Sequence, residues 1–330
     1  MNLEQTRSTA KAALDASWAR CAHHHKLKRD AARPILRLQS SEVAPRHEAL
    51  TDLIGGRHGI FGKLASVAAD AGQCLVMTDK DGILVRLESK DADKSWNGIA
   101  LVSVWDERVA GTNGVSMALS EGRSFAVRGS DHYFSQLRNF ACTAVPLRDA
   151  ENEIIGVVNL SSVDRGNPAD TLFATQLLGA AASRLQHTLF EQTFKNAAIV
   201  SVAMPGRREL IKGAELVAVG ENGVILGATS DAHVMSGMPS HAALKGERFD
   251  TVFGTDMPSL DMVPGRVLSV RRDQGPMLDL WMRDPVGGQS PWAGFRVAAL
   301  PTFRICATPA RSWLRFAIRR RRTLPTDCRS

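Results

Sequence analysis

The sequence predicts an α+β fold, antiparallel sheets with flanking helices, arranged as two successive units. Three observations carry this reading. Asp81-Gly82 sits between two β-type runs, Asn222-Gly223 sits between two more, and residues 169–194 repeat apolar side chains at helical spacing. Glycine accepts the positive φ of the tight primed turns, so such pairs mark antiparallel hairpins. A chain of 330 residues also has room for about two packed cores.

Residues 1–50 read as an N-terminal helical segment, with Leu14, Trp18 and Cys21 at helix spacing before a charged stretch and Pro34. Residues 51–195 make the first unit. Its opening hairpin runs from Cys74-Leu75-Val76-Met77 through Thr78–Gly82 into Ile83-Leu84-Val85. Thr112 to Glu121 suits a short helix with Thr112 or Asn113 as N-cap, because either side chain accepts a bond from a first-turn amide. Ser124–Arg128, Cys142–Leu147 and the longer Ile154–Ser161 read as strands that pair most simply as an antiparallel sheet. The helix over Ala169–Phe194 carries one apolar stripe. It either packs on its own sheet or also pairs two chains, and Phe173, Leu178, Ala181, Leu185 and Leu189 are the candidate dimer residues.

The second unit spans residues 205–285. Its hairpin is centred on Asn222-Gly223, and Val267–Arg272 and Met277–Met282 are expected as its last two strands. Past Asp284-Pro285 the periodicity dissolves into a tail of nine Arg against the single acid Asp327. That tail outweighs the whole net charge of +7, so the body carries no obvious basic surface for phosphate. Residues 286–330 are expected to be irregular, the product of a truncated or frame-shifted gene; the competing reading is a basic arm that holds nucleic acid through Arg319-Arg320-Arg321-Arg322.

With 44% hydrophobic and 23% charged residues, neither a disordered nor a fibrous protein is indicated. Apolar runs such as Ile154–Leu160 are far too short to span a bilayer, and Glu4, Gln5 and Thr6 stand where a secretory signal needs basic and then apolar residues. No membrane association and a cytoplasmic location are therefore expected. The five cysteines form no C-x-x-C pair, which favours reduced thiols.

Trp105-Asp106-Glu107-Arg108-Val109-Ala110-Gly111-Thr112-Asn113-Gly114, followed by Ala118-Leu119, resembles the signature of sensor regions in sigma-54-dependent Fis-family transcription regulators of the acetoin-catabolism-regulator type. Ser17-Trp18-Ala19-Arg20-Cys21 with His25 and Leu27 is similar to the helix that leads into that region. Asp131-His132-Tyr133-Phe134, Cys142-Thr143-Ala144-Val145-Pro146 and Gly156-Val157-Val158-Asn159-Leu160-Ser161 follow in family order, so the resemblance covers roughly residues 15–195. It implies a GAF domain, with a six-stranded antiparallel sheet, helices on one face and a ligand pocket between sheet and loops. Residues 210–285 are more loosely similar to the PAS-like module that follows. A complete homologue would add an AAA+ ATPase and a DNA-binding helix-turn-helix. Neither is expected here: around Gly62-Lys63, Arg57 and Leu64 occupy positions where a P-loop needs Gly and Ser/Thr.

Trp105, Glu107, Thr112, Asn113, His132 and Cys142 are the candidate residues for a pocket that takes a small organic effector, since such pockets are apolar with a few placed polar groups. The plainer alternative is that they fasten loops and core. His23-His24-His25 cannot converge on one metal from a helix, because adjacent side chains diverge by about 100 degrees. Cys142 and His132 lack an orienting third group and an oxyanion site, so no catalysis is expected. No ligand cluster points to a metal, haem or other cofactor. The sequence thus reads as the ligand-sensing region of a transcription activator, homodimeric and without specific nucleic-acid binding of its own. The alternatives are a stand-alone GAF/PAS signalling module acting through protein partners, and an enzyme of the cyclic-nucleotide or redox kind.

Overall fold

The structure, a computed structural model, describes residues 3–30, 35–53, 59–89, 99–206, 214–257, 260, 267–271 and 275–283. The Arg-rich tail lies outside them. Helix α1 (Leu3–Ala19) runs into a π-helical turn, Arg20–His24, and is followed by α2 (Ser40–Leu53) and α3 (Ile60–Asp70). The first sheet comprises β1 (Cys74–Asp79), β2 (Leu84–Glu88), β3 (Phe125–Arg128), β4 (Phe140–Arg148) and β5 (Ile154–Val163), with α4 (Glu107–Ala110) and α5 (Gly114–Glu121) between β2 and β3. Its order is β2-β1-β5-β4-β3, antiparallel throughout, five strands among the described residues where the resemblance implied six.

The expected hairpin forms, and Asp79 explains its shape. The Asp79 carboxylate accepts from the amides of Asp81 and Ile83 at 2.9 and 3.0 Å, and Gly82 supplies the positive φ of 76°. Such local side-chain acceptance stabilises the turn ahead of any tertiary contact. Further along, a side chain on Gly156 would put its Cβ 2.2 Å from the Thr78 carbonyl oxygen, so only glycine lets β5 lie this close to β1.

Alternation along the strands divides the sheet into two faces. Leu75, Met77, Val145, Val158 and Leu160 face α2, α3 and α6 (Pro168–Thr193) in one apolar core. Cys74, Val76, Cys142, Ala144, Asn159 and Ser161 occupy the other face, which α4, α5, the N-terminal segment and the loops cover. The resemblance implied helices on one face only; here short helices α4 and α5 and the N-terminal helix also cover the second face, together with loops.

Helix α6 starts one residue before the expected Ala169, with Asn167 capping it by accepting from the Ala169 amide at 3.1 Å. Its candidate dimer stripe needs correction. Leu178, Ala181, Leu185 and Leu189 are buried in the chain's own core, and of the five only Phe173 is outside, 73% exposed. The outward apolar side chains of α6 are Leu172, Phe173 and Leu177. The sheet needs a cover for its own apolar face, and the most apolar stripe of α6 supplies it.

The second sheet begins ahead of residue 205, at β6 (Ala198–Ala203), and continues with β7 (Glu215–Val219), β8 (Ile225–Ala228), β9 (Leu268–Arg271) and β10 (Met277–Met282). Its order is β8-β7-β6-β10-β9, so β6, absent from the expected strands, is its centre. Short helices α7 (Ala232–Ser236) and α8 (Phe249–Phe253) close a core that includes Val200, Val217, Phe249, Phe253 and Leu280. A polar knot joins the two sheets: Ser230 Oγ lies 2.8 Å from Asn152 Oδ1 and 2.9 Å from Gln186 Oε1, tying the loop after β8 to the β4–β5 turn and to α6.

Candidate functional site

Two structures meet around the Trp105–Gly114 segment, and they divide the candidate residues between them. The first is a cavity on the loop-covered face of the first sheet. Its floor is Val76, Cys142, Asn159 and Ser161; Trp105, Asn113, Gly114, Val115, Ile99, His132, Leu137 and Phe140 complete the lining. The cavity offers about 20 Å3 to the centre of a water-sized sphere. That is room for roughly one water or the small end of a ligand, while the neighbouring side chains hold their places.

Each polar group of this lining has a definite occupation. Trp105 Nε1 donates to Ser103 Oγ at 2.8 Å. Asn113 is the N-cap of α5: its Oδ1 accepts from the Ser116 amide at 3.0 Å, and its Nδ2 donates to the Trp105 and Gly111 carbonyls at 2.9 Å each. Asn159 Nδ2 donates to Ser161 Oγ at 2.9 Å, and Cys142 Sγ lies 3.4 Å from the same oxygen. Burial pushes the Cys142 thiol up to about 11, so it is a protonated, unreactive thiol. His132 is 1% exposed, its Nδ1 is 3.2 Å from the Gly129 carbonyl, and burial pulls its pKa down to about 4. Two buried atoms of this lining, His132 Nε2 and Asn159 Oδ1, have no partner among the described residues.

The second structure is an ion-paired dock, and it claims Glu107 and Thr112. Glu107 receives Arg20 Nε and Nη2 at 2.8 and 2.7 Å and Ser17 Oγ at 2.7 Å, with His25 Nε2 at 3.3 Å. Burial alone would raise the Glu107 pKa; the bonds from Arg20 and Ser17 outweigh it and hold the carboxyl below its ordinary value. Thr112 Oγ1 pairs with Ser17 Oγ at 2.7 Å and lies 3.6 Å from Cys21 Sγ. Neither Glu107 nor Thr112 lines the cavity: the motif reads as one segment, but its alternate side chains point to opposite partners.

The N-terminal segment also grips the loop that carries His132. Trp18 Nε1 donates to the Asp131 carbonyl at 2.9 Å, Tyr133 Oη donates to the Leu27 carbonyl at 2.8 Å, and the Ser135 amide donates to the Arg29 carbonyl at 3.2 Å. Ser135 Oγ also donates to Asp30, and Trp18 stacks edge-on to Tyr133 with Arg29 over its ring. Residues 17–30 are thus a strap over the loop that carries His132.

Among the described residues, no three His, Cys, Asp or Glu side chains gather as a metal site, and no helix is long and apolar enough to cross a membrane. His25 turns to Glu107 while His24 Nδ1 lies 3.4 Å from His25 Nδ1, so the histidine run serves the strap.

Residues 5–186 match the family described as MimR, N-terminal domain. The chain belongs to that family. The MimR N-terminal domain here takes in the strap, the first sheet, the cavity and most of α6, and it stops before β6. The chain is 26% identical over 259 residues to the acetoin catabolism regulatory protein of Cupriavidus necator, a match covering 76% of this chain and 38% of that protein. It is 29% identical over 144 residues to the propane 2-monooxygenase operon transcriptional activator MimR of Mycolicibacterium smegmatis, covering 42% of this chain and 24% of that one. The chain therefore spans well under half the length of these relatives. Among solved structures it is similar to the E. coli DhaR(N)-DhaL complex, at 15% identity and a TM-score of 0.48, over 83% of this chain and 99% of that one.

Asn159, Ser161, Ser17 and Arg20 were not among the expected site residues. Asn159 and Ser161 have one sequence signal, two polar side chains at strand spacing in an otherwise apolar run. Arg20 stands 87 positions from Glu107, and no local pattern reveals that pair.

Proposed function

We propose that this chain is the ligand-sensing region of a transcription activator, its first unit a GAF-type sensor, its second a PAS-like module, and that the cavity beside Trp105 takes a small organic effector. The observation that carries the reading is a partly open, mainly apolar cavity holding two buried polar atoms without partners among the described residues, in a chain whose relatives are named as transcriptional regulators. Unpaired buried polar atoms cost about 1–3 kcal/mol each, so a site that keeps them is built to be filled. Among the described residues of the lining, Cys142 is a protonated thiol, so the chemistry presented there is binding. An ATPase and a DNA-binding module belong to the complete activator, and the chain itself binds no specific DNA sequence. Homodimerisation belongs to the same proposal, now through the outward Leu172, Phe173 and Leu177.

The test is a graft. This chain replaces the matched region of the Cupriavidus regulator, and transcription from that regulator's promoter is measured against a panel of two- to four-carbon metabolites. Induction by one of them, lost in Gly114→Ala, is the expected result. A Cβ on Gly114 would meet Asn159 Oδ1 at 2.9 Å and Cys142 Cβ at 3.0 Å, closing the cavity. Induction that survives Gly114→Ala would move the effector elsewhere.

A further inference from the structure

We infer that the cavity selects an uncharged hydrogen-bond donor, a ligand that presents a hydroxyl or amide N–H to His132 and Asn159, and that it rejects acceptor-only and anionic molecules of the same shape. This rests on reading the cavity as the effector site, and it adds the ligand's chemical polarity.

The polarity follows from which atoms are already spent. A carbonyl oxygen only accepts, so the contact between Gly129 and His132 Nδ1 requires the proton on Nδ1. That leaves Nε2 as a bare lone pair, and the low pKa of the buried ring keeps it bare at neutral pH. Asn159 gives an N–H of its amino group to Ser161, while its carbonyl oxygen has no partner among the described residues. The two lining atoms with no partner at all among the described residues are therefore both acceptors, and both residues are almost wholly buried, at 1% and 3% exposure. The donors of Trp105 and Asn113 are engaged with neighbouring protein groups.

Among the described residues, no Lys, Arg, Asp or Glu lines the cavity. An anion would enter without a countercharge and meet two lone pairs, which is costly in a water-poor site. A ketone would bring its own lone pairs to the same place. A hydroxyl or amide N–H satisfies the acceptors and recovers their desolvation cost. The small free volume adds a limit of size: the donor group enters on a short chain, about two or three heavy atoms deep, unless Ile99 or Leu137 moves.

Acetamide, acetone and acetate share one planar four-atom skeleton and differ in the property at issue. Titrating each into the whole chain labelled with 15N-histidine reads the His132 Nε2 resonance directly. Acetamide is expected to shift that resonance toward hydrogen-bonded values and to bind about tenfold or more tighter than the other two. His132→Phe and Asn159→Ala should each erase most of that preference. If either variant fails to fold, the three-ligand ranking on the unmodified chain decides alone. Acetone or acetate perturbing His132 as strongly as acetamide would overturn the donor rule while leaving the cavity as a binding site. If none of the three moves the His132 signal, a water serves the two acceptors, and both the donor rule and the effector site fall.

Discussion

The two sheets of this protein share an architecture and differ in how they treat buried polarity. Each has five antiparallel strands. The second satisfies its polar groups internally: Glu215 Oε2 accepts from Thr229 Oγ1 at 2.5 Å and from the Asp231 amide at 3.2 Å, and Asp279 Oδ1 accepts from Ser269 Oγ at 2.6 Å. None of the buried side-chain atoms without a partner among the described residues lies in it. The first sheet and its loops keep Thr78 Oγ1, Arg128 Nε, His132 Nε2 and Asn159 Oδ1 unpaired. A sheet serving only as scaffold has no reason to carry that cost. Function is to be sought where the polar accounting stays open.

Four changes and one control test that contrast, the four taken from the largest effect to the smallest. Phe249→Ala empties the second core and should cost about 3–5 kcal/mol. Hydrogen exchange should then quicken across β6–β10 while β1–β5 stays protected; uniform acceleration would merge the two sheets into one cooperative unit. Next is Glu107→Gln, which leaves Arg20 and Ser17 facing a neutral group and should cost about 1–3 kcal/mol. Because the folded Glu107 pKa is depressed, its contribution is present above the ordinary value of 4.5 and fades as pH falls through the folded value. The variant's melting temperature should accordingly depend less on pH on the acid side of 4.5.

His132→Gln sharpens the comparison at milder acidity. A neutral buried histidine with a folded pKa of about 4 against an ordinary 6.5 leaves the unfolded chain holding more protons between those values, so stability falls as pH drops through that window. His187 on α6, also lowered to about 4, contributes alongside. Urea melts across the window should show a shallower slope in the variant, and an unchanged slope would mean that His132 is already protonated in the native state. The smallest effect on stability belongs to Phe173→Asp, within about 0.5 kcal/mol because the side chain is outside. Sedimentation should nonetheless show fewer dimers. Leu185→Asp, by contrast, strikes the core and should unfold the first sheet rather than release a folded monomer.

Most strands of both sheets were legible because local chemistry sets them. The Asp-Gly and Asn-Gly turns, the Asn113 cap and the alternating runs each act within a few residues. Strand β6 escaped for the complementary reason. Ala198–Ala203 is buried on both faces and shows no alternation, and it follows α6 with only a short break and no Gly or Pro. In the site, Trp105, Asn113, His132 and Cys142 line one cavity. Glu107 and Thr112 belong to the strap instead, because their partners lie some ninety positions upstream and a tertiary ion pair leaves no mark in nearby sequence.

The strap also governs time. Its bonds to Asp131, Tyr133 and Ser135 bracket His132 on both sides along the chain, so enlarging the cavity on the His132 side means breaking several of them together. A ligand larger than the resting volume then waits for a local opening before it enters and for another before it leaves. With the effector proposed above in the cavity, both entry and release would then be slow, and the long residence time would let the molecule average over brief fluctuations in effector concentration, responding to what persists around it instead of to what passes by.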